Sequence, residues 1–233
     1  MISNDLDIIP YRDQLMARGR VQVPGFLQEP SAERLRHCLQ NEVRWETSLR
    51  SDRTSPVGDA DRSTLDEAQQ RQMLQGVYQS ARDEFAFVFD RYRMIDARRD
   101  GLDPGLVLHV VVDFLNSPAF LEFARELTGD KDIRMVSAIA ARYRPGHFLN
   151  QHNDKAGDED RAFAYVINLS RDWQADWGGL LQFMGEGQDV LETFTPHWNS
   201  LSLFRVPQAH QVSLVSPWSR EDRYSITGWF RRS

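Results

Sequence analysis

The chain has 233 residues, of which 41% are hydrophobic, and this is enough apolar surface for one folded domain and excludes wholesale disorder. The formal net charge of −6 argues against a broad nucleic-acid-binding surface, and we expect no nucleic-acid partner. The single cysteine, Cys38, excludes an internal disulfide, and its apolar helical setting predicts a small core residue.

The sequence also lacks the usual signs of export or membrane insertion. The first residues show no positively charged segment followed by an apolar one. No stretch of the chain approaches the roughly 18 apolar residues that a transmembrane helix needs. We therefore expect a cytoplasmic protein with no membrane partner.

The first half of the chain is predicted to be mainly helical. Apolar residues recur at four-residue spacing behind Ser31, which is the expected N-cap of the first of these helices. Residues 51–62 are polar and predict a loop, and residues 64–67 match a capping box. One apolar stripe at helical period then extends over residues 74–92, and Ser117 caps a further short helix.

After residue 131 the pattern changes to short apolar or alternating runs separated by Gly, Pro, Asn and Asp. These runs cover residues 135–143, 162–169, 180–184, 201–206, 211–215 and 224–230. Several short strands without intervening helices favour a jelly roll. We predict a mainly β, α+β fold: a double-stranded β-helix (jelly roll) with N-terminal helices packed outside. Residues 1–233 are expected to form a single domain, with 1–130 as helical support and 131–233 as the jelly-roll core.

Two histidines and one carboxylate form a candidate metal site. Residues i and i+2 of a strand point to the same face, so His152 and Asp154 would aim together if extended. His210 lies at the start of another predicted strand and could meet them by closure of the barrel. Two imidazoles and one carboxylate on one side of an ion are typical of non-haem Fe(II) oxygenases. About one His-x-acidic match is expected by chance, however, and an exposed loop pair beside the acidic residues 158–160 is the alternative.

A candidate carboxylate clamp lies near the end of the chain. Residues 223–227 alternate, so Arg223, Ser225 and Thr227 share one strand face. A guanidinium with a nearby hydroxyl can hold a carboxylate through charge-assisted hydrogen bonds. The alternatives are a surface arginine at 223 and, for His210, a half-buried histidine bonded to the backbone.

The motifs occur in an order and spacing that resemble the 2-oxoglutarate (2OG)/Fe(II)-dependent dioxygenases of the prolyl-4-hydroxylase-like superfamily. The matching segments are YRPG at 143–146, HND at 152–154, RAFAYVINL at 161–169, WGGL at 177–180, WNSL at 198–201, HQVS at 210–213 and RYSITGWF at 223–230. VPGFL at 23–27 and SAERL at 31–35 are similar to the entry segment of the ribosomal-protein prolyl hydroxylases. That branch is the nearest in resemblance.

The resemblance implies that His152, Asp154 and His210 are the catalytic metal ligands and bind Fe(II). Besides Fe(II), it implies 2OG as co-substrate, O2 as oxidant and ascorbate as reductant.

It further implies that Arg223 binds the far carboxylate of 2OG, with Tyr143 and Ser225 donating hydrogen bonds. Tyr165 lies near the position of a second binding tyrosine in some prolyl hydroxylases. Its side chain is expected to face away, so it is left out of the binding set. Trp229 is expected in the core.

Three functions remain open at this point. The leading one is hydroxylation of a C–H bond in a prolyl or other residue of a protein or peptide. The second keeps the iron chemistry but acts on a free amino acid or small metabolite. The third is a non-catalytic metal-binding jelly-roll module. The complete ligand set together with the Arg223 clamp argues against the third, because a structural metal needs neither an open coordination face nor a carboxylate partner. The oligomeric state is left open.

Overall fold

A computed structural model describes residues 1–50, 58–60, 66–155 and 159–233. Within these ranges the chain forms helices in its first half and strands along nearly its whole length. The helices are α1 (Ile9–Arg18), α2 (Glu29–Asn41), α3 (Glu67–Ser80), α4 (Met94–Asp100), α5 (Leu108–Leu115) and α6 (Pro118–Thr128). None of the helices in the described part of the chain is both long enough and apolar enough to cross a bilayer.

The strands join into one sheet. Their bounds are β1 (Arg20–Val23), β2 (Glu46–Arg50), β3 (Gly58–Ala60), β4 (Phe87–Tyr92), β5 (Met135–Val136), β6 (Ile139–Tyr143), β7 (Phe148–His152), β8 (Arg161–Asn168), β9 (Leu181–Met184), β10 (Val190–Phe194), β11 (Ser200–Arg205), β12 (His210–Val212) and β13 (Arg223–Arg231). The main path is β1-β11-β8-β13-β6-β4-β7-β12-β9-β10, and the pairings along it are antiparallel. The predicted mainly β fold with flanking helices is confirmed.

Strand β8 shows how the sheet separates a hydrophobic core from an internal cavity. Phe163, Tyr165 and Ile167 project from one face and join the main core together with apolar residues of α2, α5 and α6. Ala164 and Val166 project from the other face and line the cavity. This alternation follows from the two-residue period of a strand, and it places the candidate site on the face away from the helices.

The long helical stripe predicted over residues 74–92 is wrong. Helix α3 ends at Ser80, and Phe87–Tyr92 is strand β4, which pairs with β2 and β6. Apolar residues at 85, 88 and 92 fit a helical spacing, but the denser aromatic alternation at 85, 87 and 89 fits a strand better. Pairing on both sides settles the choice, because β propensity depends on neighbouring strands.

The helix starts were predicted with mixed success. Ser31 is not the N-cap of α2, because the helix begins at Glu29 with proline in its first turn. The predicted cap at Thr64 lies outside the described residues, and α3 is instead capped by a box formed by Asp66 and Gln69. Ser117 does cap α6, since its hydroxyl accepts a hydrogen bond from the Phe120 N–H.

Several strands were not predicted at all. Strands β1 to β4 lie in the part of the chain expected to be helical, and β7 and β10 lie in the β core. Among the described residues before residue 131, more lie in helices than in these early strands. The division of the chain into 1–130 and 131–233 stays a prediction. The N-terminal strands matter for function, because β4 forms part of the wall around the candidate site.

Candidate metal centre and co-substrate pocket

The two predicted histidines meet across a pair of strands. His152 ends β7, His210 begins β12, and the two are direct partners in the antiparallel register. Their ring centroids are 4.1 Å apart. The Asp154 carboxylate lies between them: Oδ1 is 3.4 Å from His152 Nε2, and Oδ2 is 3.4 Å from His210 Nε2. The three candidate ligand atoms all lie within 4.8 Å of one another.

The route by which Asp154 reaches the histidines differs from the prediction. Strand β7 stops at His152, and Asp154 adopts a left-handed backbone conformation with φ of 59°. The two side chains therefore do not share a strand face by alternation. A left-handed residue after the strand turns the chain back, and aspartate tolerates that conformation better than most residues.

Backbone carbonyl groups fix the tautomer of both histidines. His152 Nδ1 lies 2.9 Å from the Asn150 carbonyl oxygen, and His210 Nδ1 lies 2.7 Å from that of Gln208. Because a carbonyl only accepts, Nδ1 must carry the proton in each ring. Each Nε2 then presents its lone pair to the space beside Asp154, which is the arrangement of metal-binding histidines.

The protonation states also suit a cation. Burial and the nearby His152 together lower the pKa of His210 to about 4, against the opposing effect of Asp154. Burial raises the pKa of Asp154, but the adjacent His152 and His210 outweigh it, and the net pKa is lowered. At neutral pH the centre therefore holds one carboxylate and a neutral His210, the forms that bind metal ions.

The metal centre opens into an internal cavity of about 120 Å³. Apolar side chains provide most of its wall, and a few polar groups converge in it, as is common for small-molecule sites. The polar or charged residues that line it are His152, Asp154, His210, Tyr143, Arg223, Ser225 and Thr227. The three candidate metal ligands thus border the same cavity as Arg223, the predicted carboxylate clamp.

Arg223 is a buried cation in this cavity. Its side chain is 2% exposed, and no partner for its Nε exists among the described residues. Its Cζ lies 5.1 Å from the centre of the Tyr143 ring, and burial lowers the pKa of the guanidinium. A buried charge is costly unless an anion pairs with it. The site therefore fits the carboxylate of a ligand.

Tyr143 and Ser225 stand beside Arg223. Tyr143 is the antiparallel partner of Arg223 and stacks on Phe89 at 5.2 Å. Burial raises the pKa of Tyr143 to about 12, so its hydroxyl stays protonated and can donate. Ser225 lies two residues along β13 and is also buried. Tyr165 faces the opposite side, where its hydroxyl donates to the Ser137 carbonyl.

A comparison with protein families shows which group has this arrangement. Residues 138–231 match the sequence model of the 2OG-Fe(II) oxygenase superfamily. This part of the chain is similar in sequence to that superfamily. The match covers β6 to β13 and all six residues of the candidate centre and clamp.

Individual relatives agree with this assignment. The prolyl 3-hydroxylase OGFOD1 of Xenopus laevis is 31% identical over 118 residues, which are 48% of this chain and 22% of that protein. The chain thus matches only about a fifth of the length of this curated relative. The similarity to the prolyl-hydroxylase branch predicted from the motifs is confirmed.

Two solved structures share the fold over nearly the whole chain. An oxidoreductase of the 2OG-Fe(II) oxygenase family from Burkholderia pseudomallei has a TM-score of 0.66 at 16% identity, covering 100% of this chain and 94% of its own. A Trichoplax adhaerens prolyl hydroxylase, solved with a peptide fragment of hypoxia-inducible factor, has a TM-score of 0.57 at 15% identity, covering 95% and 87%. At these identities the likeness shows the jelly-roll fold, which confirms the predicted architecture.

One pocket residue was not recognised from the sequence as part of the site. Trp229 was expected in the core, and it does pack against the apolar cluster that contains Phe183 and Phe204. It also lines the cavity, where its indole N–H has no hydrogen-bond partner among the described residues. Arg161 lies over the Trp229 ring at 3.6 Å and donates to the Asp154 carbonyl at 3.2 Å. The alternation of Arg223, Ser225 and Thr227 extends to residue 229, and this signal would have found it.

A buried ion cluster stands directly behind this pocket. Asp90 is 1% exposed and accepts hydrogen bonds from Thr47 at 2.7 Å and from Arg142 at 3.0 Å. Arg144 Nε lies 2.8 Å from the same carboxylate. Burial raises the pKa of Asp90, but His147, Arg144 and Arg142 outweigh it and lower the net value. Because Arg142 and Arg144 flank Tyr143, the cluster supports the strand that carries Tyr143.

Proposed function

We propose that the chain is a 2OG- and Fe(II)-dependent dioxygenase that hydroxylates a C–H bond in a prolyl or other residue of a protein or peptide. One observation carries the proposal: a metal-ligand trio and a buried arginine border the same enclosed cavity. The trio alone would suit several metals. The arginine requires an anion, and a 2-oxo acid with a second carboxylate meets both needs.

In the proposed site, His152, Asp154 and His210 would hold Fe(II). The bound ion would supply the dioxygen chemistry that converts 2OG and O2 to succinate and CO2 while one oxygen atom enters the substrate C–H bond. The protein's own part is to hold the ligand atoms on one side and to leave the other side open to the cavity.

The remaining groups would bind and orient the co-substrate. The Arg223 guanidinium would pair with the far carboxylate, with Tyr143 and Ser225 donating hydrogen bonds. Because the pocket wall is mainly apolar, an ion pair there is stronger than at a surface. Ascorbate would serve as the reductant that keeps the iron as Fe(II).

The peptide substrate is supported by the relatives rather than by the pocket. The Xenopus laevis relative is named as a prolyl 3-hydroxylase, and the Trichoplax adhaerens structure holds a peptide. The first name specifies a prolyl substrate and the second structure holds a bound peptide, and the chain matches the first over 118 residues.

The test is 2OG consumption by the purified chain with Fe(II), ascorbate and air, followed by NMR detection of succinate. We expect turnover by the wild type and none by His152→Ala or Asp154→Ala. Loss of an outer-shell partner typically lowers metal affinity about 10–100-fold, so loss of a ligand should lower it further. Metal content after gel filtration gives a second readout that does not depend on turnover.

The matched control is His197→Ala, because His197 is exposed and lies outside the cavity. It should keep the metal content and the succinate yield of the wild type. Full succinate production by His152→Ala would show that the ligand assignment is wrong. A substrate would be identified as a protein that gains the mass of one oxygen atom in cells that contain the active enzyme.

A further inference from the structure

Asp154 is the candidate ligand that the sheet itself does not hold in place. His152 and His210 face each other across paired strands, and a backbone carbonyl group fixes each imidazole ring. Asp154 lies beyond the last residue of β7, and its backbone is left-handed, with φ of 59°. A residue keeps this sparsely populated conformation only when its surroundings hold it. Contacts made by the Asp154 backbone therefore decide where its carboxylate lies.

Arg161 makes a contact of this kind. It is the first residue of β8 and the antiparallel partner of Arg231 on β13, so its backbone belongs to the sheet. Its Nη1 donates a hydrogen bond to the Asp154 carbonyl oxygen at 3.2 Å, and its Nε donates to the Glu159 carboxylate at 2.7 Å. Because the guanidinium is a planar and rigid fork, the second bond fixes the direction of the first.

The indole ring of Trp229 supports the Arg161 guanidinium from a third side. Arg161 Cζ lies 3.6 Å from the centre of the ring, which is within the range of a cation–π contact. Trp229 itself is on β13 and packs against the apolar cluster that contains Phe183 and Phe204. The Arg161 side chain is only 19% exposed. It therefore links the sheet to the turn that carries Asp154.

The charge of Arg161 does not explain its place next to a metal centre. A guanidinium has the same sign of charge as a metal ion, so its field opposes metal binding. The adjacent Glu159 carboxylate offsets part of this charge. The hydrogen bond to the Asp154 carbonyl oxygen favours the bound metal instead, because it acts on the backbone of a ligand. Charge and hydrogen bonding thus predict opposite effects of removing Arg161.

We propose that Arg161 is a positioning residue of the metal centre. By holding the Asp154 carbonyl oxygen, it keeps the carboxylate between His152 and His210, where a metal ion needs it. The inference rests on the proposed function, since it adds a residue to the groups on which metal binding depends. Groups that orient metal ligands typically change metal affinity by about 10–100-fold, and Arg161 orients a ligand through its backbone.

The experiment titrates the purified protein with Co(II) alone and follows the visible absorption of the bound ion. Arg161→Met keeps a side chain of similar length but removes the fork and the charge. We expect it to weaken Co(II) binding by about 10-fold or more. Thermal unfolding of the metal-free protein is measured in parallel. Its Tm should fall by no more than about 4 °C, as for the loss of one modest contact in a chain of this size.

Arg231→Met is the matched control. Arg231 is also 19% exposed and faces the same Glu159 carboxylate at 3.4 Å. Its Nε donates to the backbone oxygen of Ser233 and not to the turn at Asp154. This variant should show a similar change in Tm and keep the Co(II) affinity of the wild type.

Arg161→Lys is a second and milder variant. It retains the charge but not the planar fork, so one ammonium group cannot keep all three contacts of the guanidinium. We expect it to weaken Co(II) binding by a smaller factor than Arg161→Met does. Because the charge and most of the side-chain length remain, it also tests the proposal if Arg161→Met fails to fold.

Unchanged or tighter Co(II) binding by Arg161→Met would overturn the proposal, because the charge of Arg161 would then outweigh its hydrogen bond. Wild-type Co(II) affinity in Arg161→Lys would overturn it as well. Equal weakening in Arg231→Met would show that the effect does not depend on the contact with Asp154, and the proposal would again be wrong. A wild-type protein that binds no Co(II) would instead contradict the metal centre itself and, with it, the proposed function.

Discussion

Replacing the buried arginine of the pocket should have opposite effects on stability and on co-substrate use. In Arg223→Met the side chain keeps a similar length but loses its charge. Arg223 is 2% exposed, and its Nε has no partner among the described residues, so the folded protein carries the desolvation cost of a buried charge. Met removes that cost, and the ligand-free protein should become more stable.

The size of the gain follows from the contacts that Arg223 does make. Replacement of buried charges by apolar residues stabilises by about 1–4 kcal/mol. The Tyr143 ring at 5.1 Å offsets part of this, by about 0.5–2 kcal/mol. A net gain of about 1–2 kcal/mol corresponds to a rise in Tm of about 2–8 °C for a chain of this size.

Co-substrate binding should change in the other direction. A 2OG carboxylate left without its buried partner loses about 3–5 kcal/mol. At about 1.4 kcal/mol per tenfold, the KM for 2OG should rise by about two to three and a half orders of magnitude. Thermal unfolding with and without 2OG, together with succinate production, measures both effects. Arg205→Met, which removes an exposed arginine of β11, is the control and should change neither.

Two outcomes would refute this reasoning. If the metal-free Arg223→Met protein had a lower Tm than the wild type, the guanidinium would be stabilised by its surroundings and would not need an anionic ligand. An unchanged KM for 2OG would mean that Arg223 does not hold the co-substrate.

Two further predictions concern groups outside the cavity. Asp90→Asn should lower the free energy of unfolding by about 2–4 kcal/mol in urea titration, because Arg142 and Arg144 lose a buried partner. Asp113→Asn is the exposed control. An equal loss of stability in the two variants would contradict the role of the cluster. Burial raises the pKa of Cys38 to about 11 from its ordinary 9.0, so the folded state favours the neutral thiol. Stability should be fully present below pH 9 and fall by up to about 3 kcal/mol between pH 9 and 11. Cys38→Ala should lack this alkaline loss, and parallel pH profiles of the two proteins would disprove it.

The candidate site could be predicted where it depends on local periodicity. Residues 223–227 alternate over a single strand, and the structure puts Arg223 and Ser225 on one buried face with Tyr143 beside them. His210 was expected at a strand start and is found there. Such inferences succeed because the two-residue period of a strand acts between near neighbours in the chain.

Predictions that depended on distant contacts were less successful. Strand β4 has apolar spacings compatible with both a helix and a strand, and only its pairing with β2 and β6 decides between them. Asp154 reaches His152 through a left-handed turn and not through the predicted strand face. Arg142 donates a hydrogen bond to Asp90, which lies 52 residues away in the chain. No local sequence pattern predicts this contact.

The sequence by itself indicated the resemblance to the 2OG-Fe(II) oxygenase superfamily, the jelly roll and the identity of the residues that meet at its centre, because motif order and strand alternation depend on residues that are neighbours in the chain. Only the tertiary structure decided how those residues meet, through the pairing of His152 with His210 and the left-handed turn at Asp154. The physical reason is that these contacts join positions far apart in the chain. Their geometry depends on how the sheet closes, and no single segment encodes that closure.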